Sequence, residues 1–228
     1  MRCCCATSTV RAQGPTGRFF WFFTIIAIAS MIAGNLLALL QDNVKRILAY
    51  SSIAHLGYLL VAFLAGGALV VEAVTFYLVA YFITTLGAFG VVSMLSSGDA
   101  EADRIGDYQG LFWRRPAVAG VFTVTLLSLA GIPVTAGFIG KFYIVSAGAS
   151  SARWALIIIL VVTSVIGLFY YLRIVAAMYA TPEPEPATPA LSTSTAAEVV
   201  LVTLTGLLLW LGSYPGPLLR VIRAVFPS

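Results

Sequence analysis

A chain of 228 residues that is 60% hydrophobic and only 10% charged is far from a soluble domain, which carries roughly a quarter charged residues. It reads as a polytopic membrane protein. Its formal charge of +4 is small, and with so few charges no nucleic-acid-binding surface is expected.

In chain order, residues 1–18 (MRCCCATSTVRAQGPTGR) are polar and look unlike everything that follows. They lack the apolar core of a signal peptide. Cys3, Cys4 and Cys5 are adjacent and have no counterpart downstream, which gives neither a disulfide framework nor a metal spacing. Acylation beside a membrane helix is one use for them, and incidental placement is the simpler one. Six apolar stretches follow, at about 19–40, 47–66, 73–95, 117–146, 154–179 and 196–214. A spanning helix needs about 20 predominantly apolar residues, so each is long enough to cross once. The runs are too long and too uniformly apolar for a β-barrel. The expected fold is therefore an all-α bundle of about six transmembrane helices.

The connections differ in character. QDNVKR, from Gln41 to Arg46, is a short charged turn. Residues 96–116 form the longest polar loop, and its Trp113, Arg114 and Arg115 suit a membrane interface. Residues 181–195 are proline-rich and acidic and read as a mobile, extended linker. Lys45, Arg46, Arg104, Arg114, Arg115 and Arg173 fall on one side, against Arg153, Arg220 and Arg223 on the other. Arg2, Arg11 and Arg18 would level the count. With that tail set aside, the positive-inside rule makes the Gln41–Arg46 turn cytoplasmic.

The fourth stretch is too long. From Ala117 to Ser150 a straight helix would run about 51 Å at 1.5 Å per residue, against a hydrocarbon core of about 30 Å. Gly131, Pro133 and Gly137 supply a break, because proline removes a backbone donor and glycine permits unusual dihedrals. The discontinuity is expected at Gly131-Ile132-Pro133. Broken backbone at membrane depth is tolerated where protein or a hydrated cavity surrounds it, and it marks ion sites in many transporters. Lys141 lies eight residues past Pro133. An ionisable residue there is a functional candidate by default, and a buried lysine whose proton affinity is tuned by its surroundings can relay protons. The competing reading is a lysine that snorkels to the interface.

His55 is the only histidine. Helical spacing places Ser51, Ser52 and Tyr58 on its face, a polar stripe on an apolar helix. The pattern suits either a proton relay or interhelical hydrogen bonding. Thr84 and Thr85 could line a hydrated path or bond back to their own helix. Lys45 and Arg46 read as positive-inside anchors, with Asp42 spaced to pair with Arg46. Glu72 suits a helix start, Arg173 reads as snorkelling, and Tyr170 and Tyr171 as packing residues. The sequence has no cysteine cluster for an iron–sulfur centre, no paired axial histidines for haem, and no dinucleotide or P-loop glycine pattern, so no cofactor is expected on this chain.

Two stretches carry a resemblance. LLALLQDNVKRILAYSSIAHLGYLLVAFLAGG (36–67) and SLAGIPVTAGFIGKFYIVSA (128–147) resemble the antiporter-like membrane subunits of respiratory complex I, NADH:quinone oxidoreductase. AYSSIAHLGY, with its histidine, looks most like the subunit N branch. The resemblance covers residue 19 to the C-terminus. It implies a fourteen-helix family fold with two inverted five-helix repeats, each holding a broken helix. It also implies proton transfer through buried lysines and a glutamate, driven by quinone reduction elsewhere in the complex. Quinone and NADH would be used by the whole complex, and the partners would be its other membrane subunits and the lipid of a bacterial inner membrane. Lys141 matches the lysine on the second broken helix, and His55 fits a connecting position. The six stretches match the last six of fourteen helices. The glutamate and the first broken-helix lysine would lie upstream, so residues 1–18 resemble a frameshift product, an alternative start or the edge of a fragment. Two rivals share parts of this pattern: a subunit of a related cation/proton antiporter or membrane-bound hydrogenase, and a non-conducting membrane scaffold.

Overall fold

The computed structural model describes residues 15–67, 69–96, 103–181 and 195–226. The three cysteines and nearly all of the proline-rich linker lie outside the described residues. Helix α1 spans Pro15–Leu39, α2 Val44–Ala65 and α3 Leu69–Leu95. A 3-10 turn at Ile105–Tyr108 and a short α4, Leu111–Arg114, lead into α5, Pro116–Ala130. Then come α6 (Ala136–Ser150), α7 (Trp154–Tyr179), α8 (Thr195–Ser213) and α9 (Gly216–Val225). Among the described residues there is no strand, only an isolated bridge between Asn43 and Arg104.

The six expected crossings resolve into three kinds of element. Gly17–Leu39, α2, α3 and α7 are each long and apolar enough to cross a membrane unbroken. Helices α5 and α6 have 15 residues each, about 22 Å of rise, and neither could cross a core of about 30 Å alone. The excess length of the fourth stretch is thus absorbed by a break, which occupies 131–135. Helix α8 is the last apolar element, and after Ser213 the chain bends by 82° into α9. Helix α9 was not anticipated. Its Pro-Gly-Pro start hides a regular helix that buries Leu219 and Ile222 and exposes Arg220 and Arg223, the pattern of a helix lying along an interface.

Helix α1 lies along α2 and α7, while α3 packs on α5, α6 and α8. Small residues allow the close approach: Ala27 and Ala54 are fully buried beside Met31 and Tyr58. Large apolar side chains such as Phe63, Phe82, Leu86, Ile158 and Phe169 are turned outward, as a bundle solvated by lipid requires.

The charged turn is laced into the protein rather than left at the surface. Asn43 caps α2 by accepting from the Arg46 backbone at 3.0 Å. The Val44 amide donates to the Asp103 carbonyl at 2.7 Å, and the Ile105 amide to the Asp42 carbonyl at 3.0 Å. Lys45 pairs with Asp103 at 2.6 Å, so it is more than a positive-inside anchor. Asp42 lies 3.4 Å from Arg173 on α7 and not against Arg46. The reason is the cap: Asn43 starts the helix, so Asp42 precedes it and helical spacing does not apply. Arg173 also donates to the Gln41 carbonyl, which replaces the expected snorkelling. Glu72 sits in the first turn of α3, as expected of a capping acid. It also takes a bidentate pair from Arg223 at 2.9 and 3.0 Å.

Candidate functional site: a lysine held at a broken helix

Helix α5 ends because Gly131 adopts φ +85°, a left-handed conformation that glycine takes without steric cost. The Gly131 and Ile132 amides close back on Leu127. That leaves the carbonyls of Leu129 and Ala130 without helical donors, the usual deficit of a helix C-terminus. Lys141 fills it from the other half of the break. Its Nζ donates to the Leu129 carbonyl at 2.9 Å, to the Ala130 carbonyl at 2.8 Å and to Ser164 Oγ of α7 at 2.8 Å. All three ammonium protons are used, and a cation stands at the negative end of the α5 dipole. The side chain turns inward, towards the break. Gly131 also makes the room, since a Cβ there would come 2.8 Å from Lys141 Cδ.

The two half-helices touch at Gly137, whose amide donates to Ser128 Oγ at 3.2 Å. A Cβ at Gly137 would overlap the Ser128 carbonyl. Pro133 is exposed in the linker, where it prevents helix from bridging 131–135.

His55 is buried, and its partner is on α3. Its Nδ1 lies 2.7 Å from the Tyr77 hydroxyl; which atom carries the proton depends on the tautomer. Its ring stacks on Tyr81 with centroids 5.2 Å apart, and Tyr58 meets it edge-on at 5.4 Å. Tyr58 also presents its ring to Lys141 Nζ at 5.3 Å. The tyrosine's hydroxyl accepts from Asn35 of α1 at 3.1 Å, and Asn35 in turn accepts from Tyr170 at 3.2 Å. Tyr170 is therefore part of a polar brace as well as a packing residue.

Ser51 and Ser52 share a helix with His55, but both hydroxyls donate to the Leu48 carbonyl, at 2.8 and 2.9 Å. The polar stripe they form does not bond the histidine. Thr84 bonds back to Ala80 at 2.6 Å and also lies 3.2 Å from Ser128 Oγ. The buried Thr85 hydroxyl has no hydrogen-bond partner among the described residues. His55, Tyr77, Tyr81, Thr84, Ser128, Gly137 and Lys141 together line a cavity of about 10 Å³, on the scale of one water molecule. Lys45 is remote from this cavity, in the Asp103 pair. Tyr77 and Tyr81 were missed although they fall on one face of α3 with Thr84, a stripe like the one on α2. Ser164 and the two carbonyls carry no signal in the sequence.

Tyr77→Phe removes the one hydrogen-bond partner that His55 has among the described residues. Stranding a buried polar atom costs about 1–3 kcal/mol, so thermal unfolding in detergent should show a lowered midpoint. An unchanged midpoint would mean that the histidine finds another partner at no cost.

These features define a class: a multi-pass helical membrane protein with a discontinuous helix that holds a half-buried lysine at its break. The chain belongs to the NADH:quinone oxidoreductase/Mrp antiporter membrane family, whose model matches residues 9–167. That match and α1 both begin inside the polar stretch 1–18. The chain is 50% identical over 205 residues to NADH-quinone oxidoreductase subunit N of Ectopseudomonas mendocina, covering 88% of this chain and 41% of that protein. It is 54% identical over 218 residues to subunit N of Nitrosospira multiformis, covering 88% and 43%. It superposes with a TM-score of 0.76 and 35% identity on a chain of respiratory complex I from Thermus thermophilus, covering 92% of this chain and 46% of that one. The chain spans about two-fifths of the length of the curated relatives it matches.

Proposed function

We propose that this chain is a proton-translocating membrane part of an NADH:quinone oxidoreductase, with Lys141 as the relay and His55 as the group that connects to it. NADH and quinone react in other subunits, and this chain moves protons. Relatives at 50% and 54% identity bear the name of a quinone oxidoreductase subunit, which supports this reading over a cation antiporter. The observation that carries it is the three-point capture of the Lys141 ammonium at the break, beside a cavity that His55 also lines. One water in that cavity would bridge the two side chains. Ser164 and the two carbonyls hold the charged state, while Tyr77 orients the imidazole. The partners are neighbouring membrane subunits and lipid, in a bacterial inner membrane. The 41–46 turn faces the cytoplasm, supported by the cations gathered on that face: Lys45, Arg46, Arg104, Arg114 and Arg115. The test is proton translocation by membranes carrying Lys141→Met in the assembled complex. Normal assembly with undiminished translocation overturns the reading.

A further inference from the structure

The elbow between α8 and α9 touches the break at its linker. Gly212, one residue before the end of α8, is buried. A Cβ there would fall on the Val134 carbonyl and 2.6 Å from Thr135 Cα, so the backbone of α8 rests directly on the linker. Val134 holds φ +76°, a region where a β-branched residue persists only if its surroundings over-determine it. Those surroundings are specific. Thr135 Oγ1 donates to the Ile132 carbonyl at 2.7 Å. A compact core of Phe76, Ala80, Ala136, Leu208, Leu211 and Ile222 joins α3, the start of α6, α8 and α9. At the far end of the elbow, Arg223 is bonded twice to Glu72 of α3.

These contacts form a continuous line. Glu72 holds α9, α9 and α8 close the elbow core, and Gly212 bears on Val134 and Thr135. The linker then sets Gly131 and the two carbonyls that receive the Lys141 ammonium. The described hydrogen bonds of Lys141 go to α5 and α7, and none goes to the elbow.

We propose that the α8–α9 elbow is a positioning device for Lys141, in which Gly212 sets the linker geometry and the Glu72–Arg223 pair keeps the elbow closed. The proposal rests on the relay reading. Gly212→Ala pushes the linker away and displaces the carbonyl acceptors without altering the lysine. Arg223→Glu opens the elbow by setting two carboxylates against each other. The charge-swapped pair, Glu72→Arg with Arg223→Glu, closes it again.

The experiment measures proton translocation per assembled complex in membrane vesicles. Gly212→Ala and Arg223→Glu should each lower it roughly tenfold, within the loss that a misplacement of about 1 Å can cause. The swapped pair should recover at least half of the parent rate. Parent-level translocation by Gly212→Ala, or a swapped pair no better than Arg223→Glu alone, overturns the proposal. If Gly212→Ala does not assemble, the Glu72–Arg223 pair decides, since its single-substitution arm lies at the exposed Arg223. A reporter separates this outcome from failure of the relay. Val134→Cys is exposed in the linker, and its rate of maleimide labelling should change when Gly212→Ala is added. Should Lys141→Met pump normally, an altered labelling rate still upholds the elbow's hold on the linker, and an unaltered rate removes it.

Discussion

Lys141→Met should abolish proton translocation while leaving the bundle folded. Two effects on stability oppose each other. The substitution strands two carbonyls and a hydroxyl, and charge-assisted bonds contribute about 1.5–3 kcal/mol each. It also removes the cost of taking an ammonium out of water, a penalty of several kcal/mol for a fully buried ion. The net change in stability should therefore be small. Transport has no such compensation, because a thioether carries no proton. A positioned proton-transfer group contributes about 10²–10⁴-fold, so the loss should exceed tenfold. Lys141→Arg is the decisive companion. Arginine keeps a cation at the end of α5 but does not give up its proton. Normal assembly and lost translocation are expected from it. Translocation retained by arginine would show that fixed charge suffices, and would end the relay reading.

Gly137→Ala should be the most damaging single methyl group in the chain. A Cβ there would overlap the Ser128 carbonyl, with the Ser128 carbonyl carbon 2.8 Å and Ser128 Oγ 2.9 Å away. Overpacking a core ordinarily costs about 1–3 kcal/mol because side chains can shift. Here the obstacle is backbone at the end of α5, which can move only by opening the break. The cost should therefore exceed about 3 kcal/mol. In practice the protein should fail to accumulate in membranes, or should unfold at a much lower temperature in detergent. A Gly137→Ala protein as stable as the parent would mean that the two half-helices are not in contact.

The parts of the fold and site that were legible in the sequence were those governed by composition and length. Apolar runs of about 20 residues announced helices, and one run too long for the bilayer announced a break. Lys141 stood out as a charge in an apolar segment. What escaped was whatever depends on neighbours distant in sequence. The acceptors of Lys141 are two peptide carbonyls and Ser164, and a peptide group has no residue identity to detect. Interhelical bonding was one of the two readings of the His55 stripe, but nothing on α2 pointed to the partner, Tyr77 of α3. Helices that are apolar all round give no stripe that fixes which faces meet. Asp42 was assigned to Arg46 by helical spacing and met Arg173 instead, because Asn43 starts the helix after it. Helix α9 was not anticipated, because ten residues with two arginines are too short and too polar to register as a membrane span.

The lysine that closes the end of α5 would, on the relay reading proposed above, make the peptide backbone a witness to transport. Each time the ammonium gave up a proton, the Leu129 and Ala130 carbonyls would lose a charged donor and their C=O bonds would stiffen. Isotope-edited infrared spectroscopy with ¹³C at those two carbonyls should therefore show bands moving to higher frequency during turnover. The same bands should stay still in Lys141→Arg. The broken helix would then report each transfer through its own vibrations, with no probe added to the protein.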